Sequence, residues 1–80
     1  MTFDYVKNAV IEDMNDVYFT YKGVNCGIEI HGTSDAFDLL WGDEIKIVSG
    51  GFDTAISDPF FDGKSFLELF DIVSDSIRFV

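Results

Sequence analysis

The side chains able to do chemistry in this chain are few: one histidine, one cysteine, a glycine pair, and fifteen carboxylates set against five cationic residues. The segment from Asp58 to Leu69 comes nearest to a named site. Asp58, Asp62 and Gly63 occupy the first, fifth and sixth positions of a calcium-binding EF-hand loop. The third, ninth and twelfth positions hold Phe60, Phe66 and Leu69, where that loop needs oxygen donors and a bidentate Glu. The segment therefore reads as a helix start, with Asp62 as the cap and Gly63 supplying backbone freedom. His31 would need a nucleophile or a carboxylate brought to it by the fold, since no local motif accompanies it. Cys26 falls on an apolar face with no Lys or Arg beside it, the setting of an inert buried thiol. Gly50-Gly51 lacks the lysine that phosphate-cradling loops use. No catalytic residue, cofactor or metal site is expected from these groups.

The acidic residues are the remaining signal. The formal net charge is -10, and each half of the chain carries -5, so the acidity is spread evenly. Such a surface keeps an aromatic-rich protein in solution, and it excludes direct nucleic-acid binding, whose phosphates require a basic surface. Asp35, Asp38, Asp43 and Glu44 bracket one predicted strand and form the candidate partner-binding cluster, its complement being Lys and Arg on the basic surface of another protein. Tyr18 and Trp41 are the aromatics expected to be exposed. A patch of them beside polar residues would mark a partner or dimer surface, and monomer and homodimer both remain open. The lone cysteine fits a reducing cytoplasm, and the acid-rich first twenty residues hold neither a signal peptide nor a membrane span.

The elements that must position these groups follow from periodicity. At 48% hydrophobic and 16% aromatic, the eighty residues carry enough apolar mass for one α+β domain. Phe3, Val6, Val10 and Met14 form one stripe of a helix over residues 3–14, with Thr2 as its cap. From Val17 the period becomes two. A Lys22-Gly23 turn pairs Tyr21 with Val24, Phe19 with Cys26 and Val17 with Ile28, placing every apolar residue of a 17–31 hairpin on one face and leaving Tyr18, Thr20, Asn25, Gly27 and Glu29 toward solvent or a partner. Gly32 to Asp35 reads as a turn, 37–41 as a third strand, and 44–48 as a short fourth. Residues 52–57 suit a single helical turn, 64–74 a last helix with Phe66, Leu69, Phe70 and Val73 inward, and 77–80 a short edge strand. The expected architecture is a three- to four-stranded antiparallel sheet with a helix at each end packed on one face.

Three segments carry a resemblance: the hairpin FTYKGVNCGIEI, Trp41-Gly42-Asp43 within FDLLWGDEIKIVSG, and Phe61-Asp62-Gly63-Lys64-Ser65 opening the last helix. Over roughly residues 17–75 the chain resembles a group of small acidic proteins of Gram-positive bacteria and their phages. The resemblance implies a prophage setting and a mixed helix and sheet fold, and it brings no catalytic residue. In size, acidity and element order the chain is also similar to small phage anti-CRISPR proteins, which occupy the DNA-recognition surface of a Cas nuclease. The functional expectation is a non-enzymatic interaction or accessory module. The alternative is a nucleic-acid mimic that inhibits a defence nuclease.

Overall fold

The computed structural model describes all eighty residues. The chain runs α1 (Phe3–Ile11), β1 (Val17–Tyr21), β2 (Val24–His31), β3 (Thr33–Trp41), β4 (Glu44–Ser49), α2 (Phe52–Ser57), α3 (Phe66–Val73), a 3-10 turn at Ser74–Ser76, and β5 (Arg78–Phe79). The five strands form one antiparallel sheet in the order β4-β3-β2-β1-β5. The three helices lie on one of its faces.

The β1–β2 register is the one that alternation predicts: Val17 opposite Ile28, Phe19 opposite Cys26, Tyr21 opposite Val24. Lys22 and Gly23 both have positive φ, at 52° and 74°. That pair of values matches the two-residue turn whose twist suits a hairpin. Any one-residue slip would move Phe19 and Ile28, both fully buried, to the outer face.

The core lies between the sheet and the helices and is largely aromatic. Phe19 meets the rings of Phe61 and Phe66, each with its centroid 5.1 Å away, and Phe37 meets Phe52 at 5.6 Å. Phe3 of α1 reaches Phe52 of α2 and Phe66 and Phe70 of α3, so one ring joins the three helices. The inward face of α3 is the one its spacing predicts, with Phe66, Leu69 and Val73 buried and Leu67 and Ile72 exposed.

Three element boundaries differ from expectation, each for a local reason. The Phe3-Val6-Val10-Met14 stripe predicts α1 to residue 14, yet the helix stops at Ile11. The N–H groups of Glu12 and Asp13 both turn onto the Asn8 carbonyl, Met14 takes φ 58°, and its side chain is exposed. At α3 the cap is Ser65, not Asp62. Ser65 Oγ accepts from the Glu68 N–H while Glu68 Oε1 accepts from the Ser65 N–H, a complete capping box. Asp62 and Gly63, at φ 55° and 79°, instead make a tight turn closed by reciprocal hydrogen bonds between Phe61 and Lys64. Finally β3 begins at Thr33, so residues 33–35 are strand. Gly32 alone, at φ 79°, reverses the chain, and a register shift at Ile30/His31 absorbs the irregularity.

Candidate functional site

Alternation along the strands assigns each side chain to the helix side or to the uncovered side of the sheet. On the uncovered side two adjacent central rows of the register stand out. One crosses the sheet as Arg78, Tyr18, Gly27, Leu40 and Ile45, and the other as Glu29, Asp38 and Ile47. No helix packs on these rows, and Ile45 and Ile47 are 65% and 57% exposed. Apolar side chains thus crowd the β4 edge, with carboxylates beside them on the central strands.

The polar groups of this face are interlocked. Tyr18 donates its hydroxyl hydrogen to Glu29 Oε2, and its ring lies under the Arg78 guanidinium with 5.8 Å to the centroid. Asp38 Oδ1, which has no other partner, lies 2.9 Å from Nδ1 of His31. Glu29 and Asp38 are directly opposite one another, a like-charge cross-strand pair that disfavours the fold unless a cation sits nearby. Asp16, from the loop before β1, accepts the Ile30 N–H at 2.9 Å and adds a third carboxylate to the same end of the face.

The Glu29 hydrogen bond, burial, and the negative charges of Glu29 and Asp16 all favour the neutral phenol, and together they push the Tyr18 pKa up to about 12 against the opposing pull of Arg78. In a tyrosinate absorbance titration, one of the three tyrosines should ionise well above the usual value of about 10, and Tyr18→Phe should remove that late phase. The sign for stability follows. A folded-state pKa above the unfolded one stabilises fully below about pH 10, and that contribution is lost as pH rises from there toward about 12. Three tyrosines titrating together near 10 would mean that the Tyr18–Glu29 bond does not persist in solution.

The residues singled out from sequence are only partly brought together. Asp38 and Tyr18 are on the uncovered face, within the interlocked group, and Tyr18, expected to be exposed, is half-buried there by its contacts with Glu29, Arg78 and Gly27. Asp43 lies in the β3–β4 turn, and Glu44 pairs with Trp41 on the helix-side parity. Asp35 lies near the other end of β3, about 20 Å of extended chain from Trp41 at roughly 3.3 Å per residue. The four carboxylates therefore occupy both ends and both faces of the hairpin rather than one patch. Trp41 packs edge-on against Tyr21 at 6.0 Å on the helix side, half-buried against the core, and does not join the uncovered face.

Sequence reasoning places Glu29 on the outer face of the hairpin but misses Leu40, Ile45 and Ile47 as site residues. The signal for the missed residues was alternation: Ile45 and Ile47 alternate on a strand ending at a glycine pair. His31 does reach a carboxylate, but no cavity opens beside the pair. The cleft of about 250 Å³ lined by the hydrophobic residues Met1, Tyr5, Ile77 and Phe79 is on the helix side, at the β5 edge. Cys26 is buried with its thiol pKa raised by desolvation. Asp58 and Asp62, the EF-hand-like pair, are each 2.8 Å from a different lysine, Lys46 and Lys22. No helix is long and apolar enough to cross a membrane. Comparison with protein-family models, curated proteins and solved structures finds no match to the chain.

Proposed function

We propose that the chain is a non-enzymatic interaction module that receives a basic protein partner on the uncovered face of its sheet. The observation that carries this reading is the juxtaposition on that face of exposed Ile45 and Ile47, beside Leu40, with the carboxylates of Glu29 and Asp38. An apolar patch rimmed by charge is the usual makeup of a docking surface. The net charge of -10 selects a cationic partner and disfavours nucleic acid. A prophage-type accessory protein is the setting in which such a module fits the resemblance of its Trp41-Gly42-Asp43 and Phe61–Ser65 segments. A nucleic-acid mimic would need a compact stripe of carboxylates, and the dispersal of Asp35, Asp38, Asp43 and Glu44 over two faces supports docking over mimicry.

Position-specific photocrosslinking in the native host tests the reading. A crosslinker replacing Leu40 should trap one partner with a basic surface, whereas one replacing Ile72, exposed on α3, should not. Adding Glu29→Lys and Asp38→Lys should reduce the Leu40 crosslink by about tenfold or more, since reversing contact charges removes steering and pairing together. Equal trapping from both positions, or a crosslink indifferent to the two reversals, would sink the proposal.

A further inference from the structure

The two edges of the sheet end differently. At the β1 edge, β5 pairs with Val17 and Tyr18, and the Ser76 hydroxyl accepts the Thr20 N–H at 3.0 Å. Asp16 and Val80 exchange backbone hydrogen bonds beside them. The strand that ends the sheet there, β5, has two residues and is too short to template another strand. At β4 nothing equivalent occurs. The two-residue Gly42-Asp43 turn makes Trp41 and Glu44 the closing pair, and hydrogen-bonded and non-bonded pairs then alternate. The Gly50 N–H on the Asp35 carbonyl continues that alternation at the far end. Glu44, Lys46 and Val48 therefore turn their backbone groups toward β3, and Ile45, Ile47 and Ser49 turn theirs outward. None of these outward groups takes part in a hydrogen bond elsewhere in the chain.

An open edge is ordinarily guarded by lysine, proline or a bulge. β4 has no proline and its register with β3 is unbroken. Its one cation, Lys46, is held by Asp58 at 2.8 Å on the helix side, away from Ile45 and Ile47. Asp43 and Glu44 lie at its start, and Asp35 lies beside its end.

We propose that β4 accepts an extended segment of the partner as a sixth strand, the segment carrying β-branched side chains at two alternate positions and Lys or Arg at its ends. Backbone groups of Ile45, Ile47 and Ser49 supply the ladder, Ile45 and Ile47 supply the cross-strand contacts, and Asp43, Glu44 and Asp35 meet the terminal cations. A second copy of this chain fits the same edge poorly. Antiparallel β4–β4 pairing must keep opposed residues on one face. Centred on Lys46 it opposes two lysines, centred on Ile47 it sets Ile45 against Ser49, and centred on Ile45 it sets Ile47 against Asp43 of the turn. Every register brings together two chains of charge -10.

This inference rests on the docking proposal and names its mode, and one titration separates the two. The probe is an amidated peptide of alternating Val and Thr flanked by Lys pairs, added to the isotopically labelled full chain, with a Glu-flanked version as control. The Lys peptide should slow hydrogen exchange at the Ile45, Ile47 and Ser49 amides and bind at least about tenfold more tightly than the control. Ile47→Pro, which removes an outward N–H and spares the β3 ladder, should weaken it by about tenfold or more. Should that variant lose the native amide dispersion, Ile47→Lys, which puts a cation on the edge, should weaken it similarly. Shifts confined to Tyr18, Gly27 and Glu29 with no protection on β4 would overturn strand addition and leave face docking standing. Protection of the β4 amides that depends on protein concentration without peptide would assign the edge to a second copy and overturn the proposal. Absence of any shift with the Lys peptide would overturn strand addition and count against docking.

Discussion

Phe19→Ala should cost about 3–5 kcal/mol, the range for deleting a fully buried aromatic ring. For a chain of eighty residues, total stability at about 0.05–0.15 kcal/mol per residue is of order 4–12 kcal/mol. The substitution removes between a quarter of that and all of it. Phe19 is singled out by position: it is on β1, fully buried, and both Phe61 and Phe66 rest against its ring. Phe61 precedes the Asp62-Gly63 turn and Phe66 opens α3, so the cavity would open where the sheet meets the segment that starts the last helix. Urea unfolding followed by near-ultraviolet circular dichroism should show a midpoint shifted far to low denaturant, with aromatic signal already reduced at zero urea. Ile72→Ala on the outer face of α3 is the matched control. Its side chain is 70% exposed, and surface changes of that kind usually stay within about 0.5 kcal/mol. A loss below about 1 kcal/mol at Phe19 would mean that the ring cluster is not the centre of the core.

That contrast between Phe19 and Ile72 could be read from spacing alone, because both periodicities are strict: two along β1, and three and four along α3. The hairpin register was legible for the same reason, since each slip has an unmistakable burial cost. What spacing did not disclose is where backbone hydrogen bonds rather than apolar side chains decide the structure. Thr33, Ser34 and Asp35 look like a turn, yet they extend β3, because Thr33 pairs with His31 and the Asp35 carbonyl accepts from Gly50 and Gly51 at the end of β4. Met14 continues the stripe of α1, but a left-handed residue and two N–H groups shared on Asn8 end the helix before it. Asp62 looked like a cap because it precedes a helical pattern. Asp-Gly is also a two-residue turn signal, and Ser65, three residues before Glu68, was the better capping match.

The candidate site was less legible, and the reason is geometric. Acidic residues near one another in sequence, Asp35 to Glu44, suggest one cluster, but an extended strand separates neighbours by length and alternates them between faces. Proximity in a sheet comes from register. Glu29 meets Asp38 across β2 and β3, nine positions apart, and Tyr18 meets Glu29 from β1. The same register that was readable for apolar residues therefore held the polar face as well, once the outward parity was followed across the sheet instead of along it.

Gly27 shows what that face demands of the backbone. It sits directly opposite Tyr18, and counting from the Tyr21–Val24 closing pair makes this a non-hydrogen-bonded position, where facing side chains come closest. A Cβ on Gly27 would lie 2.8 Å from Tyr18 Cδ1 and 3.1 Å from Leu40 Cδ1, so the aromatic ring occupies the space that any other residue would need. The ring covers the glycine, as aromatic residues do when they compensate a glycine across a strand pair. Gly27→Ala should therefore displace Tyr18 and cost about 1–3 kcal/mol as overpacking. In a Tyr18→Ala background the same change should be neutral or stabilising by about 0.5 kcal/mol, because only the flexible end of Leu40 must then shift slightly and alanine lowers unfolded-chain entropy. The coupling between the two positions, obtained from four urea unfolding curves, should reach at least about 1 kcal/mol. The tyrosinate titration gives a second readout: displacing the ring breaks its bond to Glu29, so the late-ionising tyrosine of the parent should fall toward the ordinary range in Gly27→Ala. Additive stabilities and an unmoved titration would mean that Tyr18 accommodates a methyl group without leaving Glu29. The flat lay of that ring over Gly27 would then not be what shapes the uncovered face.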